Sequence, residues 1–455
     1  METCADTADE DCDGTECALW GHVYDASQDQ NYLSEIVVDP NGDIYMIGQV
    51  GNAGATIDFN GTTVTATATA RSFLTKISAQ GNTLWTKMLP GQGSLQEANS
   101  YRLVGATDSS VIVDAFLIQP ADFGGGLLQP SGWYDHAYVS FDGDGTYQWS
   151  TLFQTPGDGV FGGLSDVSPL NEVVIVGYAA AGSTYDGTTI INPASVASRN
   201  WFGLAFDATT GSLIWQHEGW VVSELENNNT YQAMAFGPQG DIYITGSVYT
   251  DLAFGGPTLA YTNDWASAFV AHLDADGQWV DGGMFSDNCY PEDLTIGPNG
   301  EVVLSAEIDF YEFAGSPTPS PPNRWAVFAL DDQYQPTWVH FMSEVPTLAT
   351  APDGDIAFVL GDTDGIAVQA PATFPAKGVI DIVTGRIGLD GTMKWYRQFG
   401  APGGLVDDRS PWKTFGLQPD GNAIVAFRSA GQPVDFGSGP LAPTGTDLGL
   451  VQLAP

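Results

Sequence analysis

Residues 233–246 read AMAFGPQGDIYITG, residues 252–256 read LAFGG, and residues 269–279 read FVAHLDADGQW. The first stretch is an apolar run, a Pro-Gln-Gly turn and a second apolar run, which is the pattern of a β-hairpin. The third is another hairpin, with an Asp-Ala-Asp-Gly turn and a tryptophan at the start of the returning strand. Two hairpins in succession give four antiparallel strands, the content of one propeller blade.

The unit repeats along the whole chain. Tryptophan-bearing hairpins end at Trp85, Trp149, Trp215, Trp279, Trp338 and Trp395, and an unaccompanied copy, Ala18-Leu19-Trp20, stands near the start. These seven tryptophans lie 65, 64, 66, 64, 59 and 57 residues apart. The other hairpin begins at Glu35, Ala233, Asp293, Thr347 and Thr414, with degenerate copies from Arg102 and Leu164. Between the two lies a shorter element: IDFNG at Ile57, ADFGG at Ala121, LAFGG at Leu252, YEFAG at Tyr311 and VDFGS at Val434. TYDG near Tyr185 is a weaker copy, and none is found between Gly365 and Pro375. A fixed period of this kind marks a repeat architecture.

The register of the two ends predicts closure. Leu19–Val23 opens the chain as a lone fourth strand, and Leu448–Leu453 ends it as a lone third strand, so together they complete one blade. A closed ring removes the exposed sheet edges that invite aggregation. The sequence therefore predicts an all-β, seven-bladed β-propeller over residues 18–455, with four antiparallel strands per blade and the N-terminal strand completing the last one. An acidic, cysteine-bearing segment, residues 1–17, precedes it.

Composition narrows the partners. With 55 acidic and 13 basic residues the formal net charge is −42, which repels phosphate backbones and anionic headgroups, so nucleic acid and acidic membranes are not expected partners. Hydrophobic residues make up 43% and aromatics 12%, which supplies a packed core rather than a disordered acidic chain. No apolar run reaches the ~18 residues a membrane helix needs. The chain starts Met1-Glu2-Thr3-Cys4 without a basic-then-apolar leader, so a secretory signal is not part of this sequence.

A strand ending in a P-x-G turn, then IYxxG, then DFGG, then FVAxLDxxGxxxW resembles the bacterial secreted β-propeller repeat, the SBBP type, from about Leu19 to Leu453. The resemblance implies a secreted or cell-surface bacterial propeller and carries over no catalytic residue. The IxVDxxGNVY and LDxxTGxxxW cadences are similar, less specifically, to NHL repeats and quinoprotein blades.

Loop lengths choose a face. First-to-second and third-to-fourth turns are two to four residues long and share one side, which is therefore expected to be flat and tight. Second-to-third and fourth-to-first connections are longer and open on the other, as at residues 179–200 and 218–230. Rigid scaffolds present function on such loops. Six tryptophans lie outside the blade anchors. Trp133, Trp201, Trp265 and Trp325 stand before third strands, either as packing or as sugar-stacking platforms. Trp133 and Tyr134, with Trp220 and Trp412, are the candidate ligand contacts.

Asp9, Asp11 and Asp13 followed by Gly14 match positions 1, 3, 5 and 6 of a calcium loop, but Trp20 stands where the bidentate Glu belongs. The alternatives are a calcium site and a solvated acidic linker. Calcium is thus the one ion offered a place, and no cofactor is expected to be required. Cys12–Cys17 is the preferred disulfide, with Cys289 unpaired because Cys17 should emerge on the opposite side of the ring. The D-x-D-G sequences at Asp142 and Asp274 read as hairpin turns or as cation loops. Asp166 is an outlier among small or apolar first-strand positions; the alternatives are a carboxylate that holds a cation or caps a loop amide, and a register shift in this poorly matching repeat. The five histidines are expected to face solvent from separate blades, and no H-E-x-x-H, G-x-S-x-G or P-loop spacing occurs.

The leading expectation is a noncatalytic, monomeric binding or structural module that meets a protein or carbohydrate on its long-loop face. The alternative is a propeller enzyme. AFDATTGSLIWQ, residues 205–216, resembles a quinoprotein blade, although such enzymes commonly have eight blades and vicinal cysteines. A sialidase-like glycosidase would want S-x-D-x-G-x-x-W turns and three convergent arginines, whereas the turn before Trp149 misses that spacing by one residue and the eight arginines show no grouping.

Overall fold

The computed structural model describes residues 18–27, 32–91, 100–132, 135–156, 161–193, 200–218, 230–249, 251–261, 267–287, 289–308, 312–313, 316–317, 325–362, 381–399, 414–429, 431, 433–436, 439–443, 445 and 447–454. They form seven antiparallel four-stranded sheets arranged as a seven-bladed β-propeller, and in blades 1 to 6 the strands run from inner to outer in chain order. Blade 4 shows the plan with strands Thr230–Phe236, Ile242–Val248, Ser267–Leu273 and Trp279–Asp287.

Blade 7 closes the ring as the sequence predicts. Leu448–Leu453 pairs on one side with Ala423–Arg428 and on the other with Ala18–Tyr24, where Ala18 meets Leu453 and Tyr24 meets Leu448. Middle strands are covered on both faces and buried along almost their whole length, as in Ile44–Gln49 and Ser72–Ile77. Fourth strands have one face toward solvent and alternate, as in Leu213–Glu218. The core is divided among the seams: Ile424, Ala426, Leu448 and Leu450 of blade 7 share one cluster with Ile44, Met46, Phe73 and Ile77 of blade 1.

The DFGG element is itself a small hairpin, an outcome the sequence reading left as an unassigned short segment. Examples are Thr56–Phe59 with Thr62–Thr65, and Val434–Asp435 with Pro440–Leu441. Its aromatic side chain is driven into the core. Phe59 lies between Tyr24 of blade 7 and Phe73 of blade 1, ring centroids 4.9 and 5.0 Å away. Its aspartate caps the turn: Asp58 accepts from the Gly61 amide at 2.5 Å, Asp122 from Gly124 at 2.8 Å, and Asp435 from Gly439 at 3.0 Å. Blade 6's connection, residues 363–380, lies outside the described residues.

Five of the seven anchor tryptophans join their blade to the next. Trp20 donates its indole N–H to the Ala79 carbonyl at 3.1 Å, Trp85 to Gly143 at 2.8 Å, Trp149 to Ala208 at 3.1 Å, Trp215 to Ala275 at 3.0 Å and Trp338 to Leu389 at 3.0 Å. Every acceptor is in the third-to-fourth turn of the following blade. A glycine two or three residues on lies against the indole: a Cβ on Gly81 would sit 2.8 Å from Trp20, and one on Gly211 2.7 Å from Trp149. Both glycines have positive φ, +82° and +71°, so turn geometry and the ring contact independently require glycine there.

Candidate functional site

The residues singled out for ligand contact, Trp133, Tyr134, Trp220 and Trp412, lie outside the described residues, as do Trp265, Asp9, Asp11, Asp13, Cys12 and Cys17. Trp201 is buried and meets Tyr178 edge-on at 5.0 Å, and Trp325 packs half-buried against the blade 5–6 core. Both are packing residues. Cys289 is free and buried at the start of the first strand of blade 5, rather than in the loop before it, and burial pushes its thiol well up.

Several polar motifs prove to hold the frame together. Asp142 accepts from the amides of Asp144 and Thr146 at 3.0 and 2.8 Å, and Asp274 from those of Asp276 and Gln278 at 3.0 and 2.8 Å, so the D-x-D-G sequences are Asp-capped hairpin turns. Asp166 accepts from the Val167 amide at 2.7 Å, the amide-capping outcome. Two further first-strand carboxylates bridge blades: Glu35 accepts from Leu103 at 2.5 Å and Asp293 from Leu348 at 2.7 Å.

The histidines are corrected from solvent-facing to buried or half-buried, and two of them, His217 and His340, are seam residues. His340 is 4% exposed and the other four are half-buried. His340 Nε2 donates to Gly391 O at 2.7 Å and His217 Nε2 to Asp276 O at 2.9 Å, each alongside the tryptophan two residues earlier. Alternation of the fourth strand puts residue Trp+2 on the indole's face, which is the physical reason these side chains turn inward.

Four places bring chemically capable groups together. On the tight-turn side, where a flat face was expected, the channel mouth is a cavity of about 450 Å³ whose lining includes Asp39, Thr107, Ser168 and Gln418. Asp39 Oδ1 caps its own turn through the Asn41 and Asp43 amides, both at 2.9 Å, while Lys76 lies 3.5 Å from Oδ2.

The second place is the seam between blades 4 and 5, on the same side. Asp281 holds His272 Nδ1 at 2.9 Å and accepts the Tyr334 hydroxyl at 2.5 Å, while His272 stacks on Tyr243 with centroids 4.3 Å apart. His272 Nε2 is buried without a hydrogen-bond partner, 4.0 Å from Asp241. Burial, with Asp241 and Asp281 adding to it, pushes the Tyr243 phenol up to about 12. Trp279 makes no seam bond among the described residues, and Tyr334 occupies the left-handed turn position, φ +57°, that glycine holds elsewhere. Both departures are visible when the seven copies are aligned: Trp-x-Asp replaces Trp-x-base, and DDQYQP lacks the turn glycine. The aligned copies carried that signal, and sequence reasoning passed over it.

The third and fourth places are on the long-loop side, in blade 2 and in blade 5. Asp114 orients the His136 ring through Nδ1 at 2.8 Å, and the exposed Arg102 pairs with Asp114 in strand register. In blade 5, burial first and then the Glu307 and Asp293 carboxylates raise the Glu292 carboxyl to about 7. Tyr290 and Trp325 are register neighbours of Glu307. Among the described residues no group of three or more His, Cys, Asp or Glu side chains could hold a metal ion, and no helix is long and apolar enough to cross a membrane.

No family model matches the chain, and no curated protein matches it. Solved structures do. The Pan2 WD40 domain of Neurospora crassa aligns over 93% of this chain and 89% of that one, with 10% identity and a TM-score of 0.44. A europium-containing methanol dehydrogenase aligns over 93% and 89%, with 12% identity and a TM-score of 0.38. Virginiamycin B lyase of Staphylococcus aureus aligns over 96% and 100%, with 10% identity and a TM-score of 0.31. At these scores none bears on function.

Proposed function

We propose that the chain is a noncatalytic binding or structural propeller of the cell exterior, similar to secreted bacterial propeller repeats, that receives a protein or carbohydrate on its long-loop face. The carrying observation is the division of labour between the two sides. On the tight-turn side, tryptophan, histidine and aspartate side chains form the blade-to-blade bonds, whereas the long connections leave from the other rim of a closed, rigid ring. An acidic N-terminal segment able to take calcium fits the same extracellular reading.

A glycan array run with and without calcium tests it. Binding that falls in Trp133→Ala, Trp220→Ala or Trp412→Ala supports a lectin-like form, and binding to a surface protein with no glycan signal supports the protein-partner form. Turnover of glycosides, or of alcohols with added quinone, overturns it. One observation favours a glycosidase-like second reading: Glu292 keeps its proton close to neutrality beside Glu307, the condition a general acid needs. Glycoside turnover abolished in Glu292→Gln would establish that reading in place of the first.

A further inference from the structure

The seam between blades 2 and 3 differs from its counterparts in one respect. Two residues after the anchor tryptophan, five of the seven fourth strands carry a base: His22, Lys87, His217, His340 and Arg397. Lys87 Nζ reaches the Gly145 carbonyl at 2.5 Å, and His340 reaches Gly391 at 2.7 Å, so the base crosses to the next blade's turn. Blade 4 has Asp281 there, bonded to Tyr334 and His272. Blade 2 has Thr151, too short to cross.

Beside Thr151 the seam holds a crevice of about 300 Å³. Thr151 lines it, 5% exposed, with its Oγ1 buried against the Tyr185 phenol. The neighbouring Tyr185 phenol donates to Gly211 O at 3.0 Å, taking over the bond that Lys87 and His340 make to the matching carbonyls. Tyr185 stands where the other small hairpins carry phenylalanine, and this TYDG hairpin also moves the carboxylate. Asp58 and Asp122 precede their aromatic and cap their own turns, whereas Asp186 follows Tyr185 at the hairpin tip, exposed. No hydrogen bond or ion pair engages the Asp186 carboxylate among the described residues. The crevice therefore has an unengaged carboxylate, Asp186, on its lining, with the Ser150 and Thr210 hydroxyls beside it.

We propose that this crevice is a binding site for a primary ammonium group, borne by a partner's lysine side chain or by a small free amine. Such a group has the charge and reach of the base found at the matching position elsewhere, and a chain of net charge −42 concentrates cations at its surface. The site lies where the small hairpin of the 179–200 connection meets the third-to-fourth turn of blade 3, and none of Trp133, Tyr134, Trp220 and Trp412 lines it, so it stands or falls independently of the ligand assigned to them.

The test is ligand-observed NMR titration of the full chain with n-butylammonium chloride at constant ionic strength, with 1-pentanol and glucose as neutral controls. Saturable n-butylammonium binding is expected, weakened roughly tenfold in Asp186→Asn, where a charge-assisted bond is lost. It should be abolished in Thr151→Lys, whose own ammonium fills the crevice. A capped Gly-Lys-Gly peptide that binds at least threefold more tightly than n-butylammonium assigns the site to a partner's lysine, and equal affinity assigns it to free amines. Equal binding to wild type and Asp186→Asn, no saturable binding, or glucose binding in place of the amine would overturn the proposal. Because Asp186 is exposed, Asp186→Asn retains the fold and remains decisive even if Thr151→Lys does not.

Discussion

Replacing Gly81 by alanine tests whether the tryptophan seam, rather than turn geometry alone, demands glycine. Gly81 has φ +82°, and a Cβ there would lie 2.8 Å from both the Trp20 ring and His22 Nε2. Gly61, in the same blade, has φ +95° and open space around its Cβ position. Left-handed backbone costs an alanine about 1–2 kcal/mol, and both substitutions incur it. Overpacking adds about 1–3 kcal/mol only at Gly81, because the indole is held by its bond to Ala79 O. The expected destabilisations are thus about 1–2 kcal/mol for Gly61→Ala and about 2–5 kcal/mol for Gly81→Ala. Urea midpoints followed by tryptophan fluorescence, compared at equal m, read the difference. Placing Gly81→Ala in a Trp20→Ala background should recover about 1 kcal/mol or more of the extra cost as a coupling energy. If the two glycine variants agree within about 0.5 kcal/mol, the seam argument is wrong.

The Glu292 carboxyl is raised to about 7 in the fold against an ordinary value of 4.5. The unfolded chain therefore loses this proton first, and stability should decline from about pH 4.5 to 7 and then level off; Glu292→Gln should lack that component of the decline, and superimposed melting profiles across this window would contradict it. Burial raises the Cys289 thiol and hides it, so Cys289 should resist a thiol reagent in the native protein and react fully in denaturant; modification of native Cys289 by the reagent, identified by mass spectrometry, would count against the seam packing described. With a net charge of −42, added salt or divalent cations should raise the melting temperature by screening self-repulsion, and a melting temperature indifferent to both would refute this.

Blade number and ring closure were legible because strand periodicity and the tryptophan spacing recur in a single dimension. Leu19–Val23 and Leu448–Leu453 were identifiable as unpaired leftovers of a four-strand unit before any contact was known. The seam bonds were not legible. Trp20 and Ala79, or His340 and Gly391, belong to different repeats, and aligning repeats superimposes such residues on their equivalents instead of pairing them with their partners. His217 and His340 were misjudged for the same reason: they look scattered until each is matched to the following turn. The small hairpin escaped because Asp-Phe-Gly-Gly is too short to show strand alternation, and its Phe gives no sign in one dimension of entering the core. Of the tryptophans weighed as platforms, Trp201 and Trp325 are packing residues; their spacing before the third strand carried that message, since a strand entry is where a large ring can cover the sheet.

Pairing of Ala18–Tyr24 with Leu448–Leu453 sets an order on biogenesis. During synthesis the N-terminal segment emerges first, yet its hydrogen-bonding partner is made more than four hundred residues later. Until then it must wait as an unsatisfied edge while the intervening blades assemble against one another. The final step is consequently a docking of head to tail, and a ribosome stalled short of residue 448 would release a horseshoe with two sticky ends.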